Sequence, residues 1–393
     1  MSQSASLKIG RTFLHTPGPT YIPQSVRNAM QRQSYDLADQ TFFDICNRCV
    51  EALKPIFGTR HNVFIYAANG HGAWDAVAQN LFTEGDQVLL VNNGGFSYWW
   101  GEHLSTLGVK VHSVGQGTHA AAGIDAIQRA LADDKSKKIK AVLVAQIDTA
   151  SSIKADVPAI RRVMDALDHN ALLLADVVAS LGTMPFEMDA WGVDVAFSAS
   201  QKAMMGPAGL AMVAVSQKAM DVAAANPVKS VYWNWVMRHG ADNYTQFGGT
   251  APQHGIFGLE AALERLNQEG LAVAQQRHDR LAAAVHAAVA CWAAPGAMAF
   301  NVNAPQDRAN SVTTILTPEG FASEQLRNYA RSELNLVLAG GLGPLSNKAI
   351  RIGHMGDLNE AMILGCLAAT EVAMHKFDLP FESGLDAAVK ALA

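Results

Sequence analysis

The sequence predicts a doubly wound α/β fold: a mostly parallel, seven-stranded sheet in a large domain, followed by a smaller C-terminal α+β domain. Three observations carry this. Seven short apolar runs alternate with helical patterns up to residue 215. The last two runs, 193–197 and 210–215, are joined by too few residues for a helical crossover, so one strand is expected to run antiparallel. Beyond a long alanine-rich helical stretch, strands and helices alternate again on a smaller scale.

Residues 1–22 read as an extended arm, followed by helices over 23–33 and 41–57. Strands are expected at 63–67, 87–91, 109–114, 141–146, 171–175, 193–197 and 210–215. Most are near-continuous apolar runs, as strands covered on both faces are. Residues 231–244 form an irregular stretch with Trp233 and Trp235, read as either a mobile loop over a site or an interface patch. A helical pattern covers 255–292 and breaks at Glu269-Gly270. Strands at 311–316 and 348–353 and helices at 323–333 and 360–376 complete the smaller unit, with 360–376 as the final helix. The expected division is an arm (1–22), a large domain (23–268) and a small domain (269–393).

At 393 residues the chain can hold two domains and bury a large core. Its formal net charge is −5, and the short cluster 135–140 reads as a solvated helix end, which argues against nucleic-acid binding. No stretch approaches 18 uninterrupted apolar residues, so no membrane span is expected. The polar N-terminus, the absence of a C-terminal address and the sparse cysteines fit a cytoplasmic location. Cys46-Asn47-Arg48-Cys49 has redox spacing, but it lies in a helical pattern with no second pair; no metal site is expected.

Three segments carry the chemistry. In Ser198-Ala199-Ser200-Gln201-Lys202, an apolar strand runs into a small-residue turn holding a lysine. Lysine prefers open solvent, and a solvated turn lysine is the plain alternative. A desolvated lysine is a nucleophile that forms a Schiff base with an aldehyde, and pyridoxal phosphate is the common one, requiring also an acidic partner for its ring nitrogen. In Leu172-Leu173-Leu174-Ala175-Asp176, a buried strand ends in a carboxylate, at the strand end where open α/β sheets bind ligands. A helix-capping aspartate is the alternative there. In Tyr66-Ala67-Ala68-Asn69-Gly70-His71-Gly72, a strand leads through glycines into a helix start, a place suited to phosphate. The spacing matches neither a P-loop nor a dinucleotide fingerprint.

Together with Thr16-Pro17-Gly18-Pro19-Thr20, Gly340-Gly341-Leu342-Gly343-Pro344 and Arg351-Ile352-Gly353-His354, these segments resemble the class V aminotransferases of pyridoxal-phosphate fold type I, within them the alanine–glyoxylate and serine–glyoxylate group. The resemblance covers nearly the whole chain. It implies Lys202 as the Schiff-base lysine and proton shuttle, and Asp176 as partner of the ring nitrogen. It implies Gly70, His71 and Gln201 around the phosphate, Phe96 stacked on the ring and Val178 against the cofactor. Thr250 would reach the phosphate from a second subunit, making the protein a homodimer. Arg351 would clamp the substrate carboxylate, with Gly18 also near substrate and Ser151 and Thr149 weaker candidates.

Two departures stand out. The group's tyrosine falls at Phe247, which removes a hydroxyl from the phosphate site. The His-Arg pair of serine–glyoxylate enzymes is replaced by the stretch from Tyr35 to Gln40, pointing away from serine and, through Asp36 or Asp39, toward a donor with a cationic or hydrogen-bonding side group. The implied reaction is transfer of an amino group from a small amino acid, alanine or serine type, to glyoxylate or pyruvate. The alternatives are a lyase such as a desulfurase, an amine–pyruvate or ureidoglycine aminotransferase, and a non-catalytic cofactor binder.

Overall fold

A computed structural model describes residues 10–227, 230–296 and 298–393. Among the described residues two compact units form: Ile22–Gln276 with Val302–Ala309, and residues 10–21 with Arg277–Asn301 and Asn310–Ala393.

The larger unit is built on a seven-stranded sheet. Its strands are β1 (Asn62–Ala67), β2 (Gln87–Val91), β3 (Lys110–Val114), β4 (Ile139–Ala145), β5 (Leu172–Asp176), β6 (Val195–Ala199) and β7 (Leu210–Val215). Their order across the sheet is β1-β7-β6-β5-β4-β2-β3. All pairs are parallel except those of β7, which runs antiparallel to both β1 and β6. This is the antiparallel strand that the short 197–210 link demands.

Successive residues of each strand point to opposite faces, and both faces are covered. Ile65, Val91, Val144, Leu173 and Met212 join one apolar cluster, while Tyr66, Leu90, Leu143, Leu174 and Val213 join another. The helix Gln40–Phe57 packs on the first side, capped by Asp39, whose carboxylate accepts the Thr41 N–H at 2.8 Å. Cys46 and Cys49 are buried in this helix. Burial pushes the Cys46 thiol up to about 12, so the Cys-x-x-Cys pair is core packing.

The smaller unit carries a five-stranded sheet in the order Phe13–His15, Leu336–Gly340, Ala349–Gly353, Val312–Leu316, Ala299–Phe300. Phe13–His15 pairs parallel with Leu336–Gly340; the other pairs are antiparallel. Glu360–Lys376 is not the last helix, as Leu385–Leu392 follows it. Glu371 fixes the connection by accepting from Trp292 Nε1 (2.9 Å), Ser383 Oγ (2.7 Å) and Gly384 N (2.7 Å).

The tryptophan-rich stretch is partly core. Trp235 is fully buried and opens a short helix, Trp235–Arg238. Asn80 holds the stretch from both sides, accepting from Trp235 N at 3.0 Å and donating to Trp233 O at 2.7 Å. Val231, Val236, Met237 and Tyr244 remain exposed. No helix among the described residues is long and apolar enough to cross a membrane.

Candidate active site

The site is assembled at one edge of the large sheet. β7 starts where β1 and β6 end: Leu210 pairs with Ala67, and Ala211 with Ala199. Asp176, the last residue of β5, pairs with Phe197 of β6. Neighbouring strands lie about 4.8 Å apart, so the segments after β1, β6 and β5 share one stretch of sheet edge.

After β1 the chain turns into the helix Gly70–Leu81, hereafter the cradle helix. Asn69 caps it, its side chain accepting the Gly72 N–H at 3.1 Å. The N–H groups of Gly70 and His71 belong to the first turn, which has no intrahelical acceptors. A helix start of this kind favours an anion. Gly70 also permits a close approach, since a β-carbon there would stand 3.3 Å from Val178 Cγ2.

Asp176 is buried, and burial pushes its carboxyl up to about 6. Its Oδ1 accepts the Val178 N–H at 2.9 Å and its Oδ2 accepts the Trp74 indole N–H at 3.2 Å. These bonds and the positive charge of Lys202 favour the carboxylate, whereas the neighbouring Asp148 disfavours it. A buried acid that stays partly ionised beside a lysine is suited to pairing with a protonated ring nitrogen.

Lys202 is half-buried in the turn between β6 and β7. The turn is tightly tied: Met205 N donates to Lys202 O at 3.0 Å, Gly206 N to Ser200 O at 2.8 Å, and the Ser200 hydroxyl to Pro207 O. Gln201 precedes the lysine and is half-buried. Phe96 lies in the first turn of the helix Gly95–Thr106, with its ring 5.2 Å from Trp99 and 6.3 Å from His71 between centroids. His71 in turn lies against Trp74, with ring centroids 4.4 Å apart and the planes tilted by 58°.

These features match one known family over most of the chain: the profile of Aminotransferase class-V covers residues 12–343. The chain belongs to that family. The serine–glyoxylate aminotransferase of Methylorubrum extorquens is 36% identical over 377 residues, spanning 94% of this chain and 93% of that protein. The L-aspartate–glyoxylate aminotransferase of Paracoccus denitrificans is 35% identical, spanning 94% and 92%. Among solved structures, the ureidoglycine–glyoxylate aminotransferase of Bacillus subtilis superposes with a TM-score of 0.89 at 23% identity, covering 98% of this chain and 99% of that one. This last likeness concerns the fold.

Within this class V aminotransferase, the remaining candidates fall into different settings. The Ser151 hydroxyl donates to Asn93 O at 2.6 Å and accepts from Ile153 N at 3.1 Å, so it fastens its own turn. Thr149 is buried. Thr250 is exposed on the surface of the larger unit. Phe247 is buried in the apolar cluster with Ile65 and Phe257, a core position and not one facing an anion. Asp39 caps its helix and Asp36 accepts the Ala38 N–H at 3.0 Å, so both carboxylates have local partners that do not involve a substrate. In the smaller unit, Arg351 is buried in the strand Ala349–Gly353, and its Nε donates to Gly340 O at 2.7 Å, which fixes the plane of the guanidinium. Gly18 has φ +108°, a backbone conformation that glycine adopts freely.

Two residues of the site were not singled out from the sequence. Trp74 reads as one more apolar residue of a helix, and only its contact with Asp176 gives it a task. Asp148 is buried with its carboxylate accepting from Ser97 N (2.9 Å), Ala150 N (2.9 Å) and Ser151 N (3.2 Å), joining its own turn to the helix that bears Phe96. The one signal for Asp148 was its place beside Thr149 and Ser151.

Proposed function

We propose that this protein is a pyridoxal-phosphate-dependent aminotransferase that moves an amino group from a small amino acid, alanine or serine type, to glyoxylate or pyruvate. The observation that carries the reading is the buried Asp176 carboxylate under the influence of Lys202, one strand end from it. The names of these two relatives support glyoxylate as acceptor.

The residues present fit the cofactor. The N–H groups of Gly70 and His71, with the Gln201 side chain, would hold the phosphate, Phe96 and Val178 would flank the ring, and Asp176 would face its nitrogen. Lys202 is the amine that would hold the aldehyde carbon. When bound, pyridoxal phosphate supplies an electron sink for the α-carbon of the amino substrate. Lys202 Nζ would take the α-proton and carry it across to the former aldehyde carbon, a task that needs an amine near neutral pKa in a partly desolvated place. Arg351 receives the substrate carboxylate through two parallel hydrogen bonds, which orients the α-carbon. Thr250 is supplied to the phosphate by a second copy of the chain, so the working form is a homodimer; a monomer in sedimentation that binds cofactor just as tightly would remove Thr250 from the site.

A desulfurase needs an accessible, low-pKa thiol. Cys46, Cys49 and Cys366 are buried, with the Cys366 thiol pushed up to about 12, and Cys291 is half-buried within the helix Leu271–Ala293. These settings disfavour that chemistry. The deciding experiment is an absorbance titration of the cofactor-loaded protein with amino donors one at a time, including alanine, serine, aspartate, pyridoxamine and ureidoglycine. One donor should bleach the cofactor band and glyoxylate should restore it. No band with added cofactor would refute the role of Lys202, and a band that no donor converts would refute the transaminase reading.

A further inference from the structure

The cradle helix touches the site twice. Its first turn presents the N–H groups of Gly70 and His71, and one turn later Trp74 points its indole N–H at Asp176 Oδ2. Trp74 is almost fully buried and braced on both sides: His71 lies 4.4 Å away and Trp100 is stacked at 6.3 Å with the ring planes 13° apart. Val178, whose N–H holds the other Asp176 oxygen, is the side chain that Gly70 packs against. Both oxygens of Asp176 are therefore held by groups attached to, or packed against, the cradle helix.

We propose that Trp74 is a positioning residue: its indole N–H clasps Asp176 as a carboxylate aimed at the ring nitrogen, and couples that end of the cofactor to the phosphate end through a single helix. This rests on the function proposed above, with Asp176 as the partner of the ring nitrogen. The physical reason is the balance at Asp176. Burial and Asp148 favour the neutral acid, while Lys202, the Val178 N–H and the Trp74 N–H favour the anion. A hydrogen bond to an ionised acceptor is among the stronger ones in a protein, so removing one donor of two shifts the balance toward the protonated acid, which cannot accept a proton from the ring nitrogen.

The test uses Trp74→Phe, which keeps an aromatic ring against His71 and Trp100 but has no N–H, and Trp74→His, which restores a ring donor. The first readout needs no cofactor: the protonation midpoint of Asp176 in the apoprotein, followed by 13C-carboxyl aspartate labelling and assigned with Asp176→Asn. Trp74→Phe should raise the midpoint by about one pH unit, and Trp74→His should move it part-way back. In the loaded enzyme, kcat should fall by about tenfold with the donor KM held.

A midpoint unchanged in Trp74→Phe overturns the inference, even if activity falls, and leaves the proposed reaction standing. The midpoint shift in a protein that never transaminates leaves the clasp standing and removes the reaction. Should Trp74→Phe not fold, the indole N–H resonance of the wild-type apoprotein gives the answer. It should move with pH at the Asp176 midpoint and stay still in Asp176→Asn; a resonance indifferent to pH overturns the proposal.

Discussion

Gly94 closes directly on Asp148: a β-carbon on Gly94 would lie 2.4 Å from Asp148 Oδ1. The same carbon would lie 2.7 Å from Ser151 Oγ. The contact seats the start of the helix that carries Phe96. Gly94→Ala should therefore push that helix start away from the turn at 148–151, at a cost of about 1–3 kcal/mol for overpacking. Urea melts of the apoprotein measure the cost, and cofactor affinity should fall in the same variant. A variant with unaltered stability would mean that the turn yields freely.

Lys202→Ala should remove turnover by a factor of about 10³ or more while leaving the fold intact. The side chain is only half-buried, and the turn around it is held by backbone and Ser200 bonds that do not use the lysine side chain. Matched far-ultraviolet circular dichroism and steady-state rates check both halves. A non-catalytic binder would lose affinity only.

Asp176 should cost the apoprotein stability at neutral pH. Its folded pKa, about 6, lies above the unfolded value of 3.8. The folded state therefore binds more protons between these values, and stability falls as pH rises through that window, by about 3 kcal/mol for this group. Asp176→Asn has no such dependence. The stability difference between variant and wild type should grow in the variant's favour from pH 4 to pH 7 and then level off.

The smaller unit should fail in the opposite direction. His15 is fully buried, and burial pushes its pKa down to about 4. His354 is also buried and lies well below the usual histidine value, through burial and the nearby His286, His278 and His15. Groups with depressed folded pKa values release stability as pH falls from about 6.5 toward 4, about 3 kcal/mol for His15 alone. Thermal unfolding across that range should show the loss, and His15→Leu should shrink it by the His15 share, leaving the part that His354 contributes.

The large sheet was legible because its strands are short apolar runs between clear helical patterns, and β7 revealed its direction through the brevity of its link to β6. Phe13–His15 and Leu336–Gly340 were not legible. The first is a three-residue edge strand and the second ends in glycines, so neither has a periodicity of its own; each exists because a neighbour offers backbone partners. Leu385–Leu392 is one short helix whose place depends on Glu371 far back in the sequence. In the site, Lys202 and Asp176 stood out because charge at the end of an apolar strand is conspicuous. Trp74 and Phe247 did not reveal their settings, because an aromatic residue in an apolar pattern looks the same whether its edge meets a carboxylate or other carbon.

The antiparallel course of β7 also bears on how the molecule comes into being. β1, which delivers the chain to the cradle helix, stands at the sheet edge, with β7 as its one strand partner among the described residues. β7 is made only after every other strand of that sheet, and contacts so distant in sequence form slowly. A growing chain thus holds the first half of the proposed phosphate site long before it has the strand that secures it. Acquisition of cofactor should accordingly be a late event in folding, and a sensitive report that the sheet has closed.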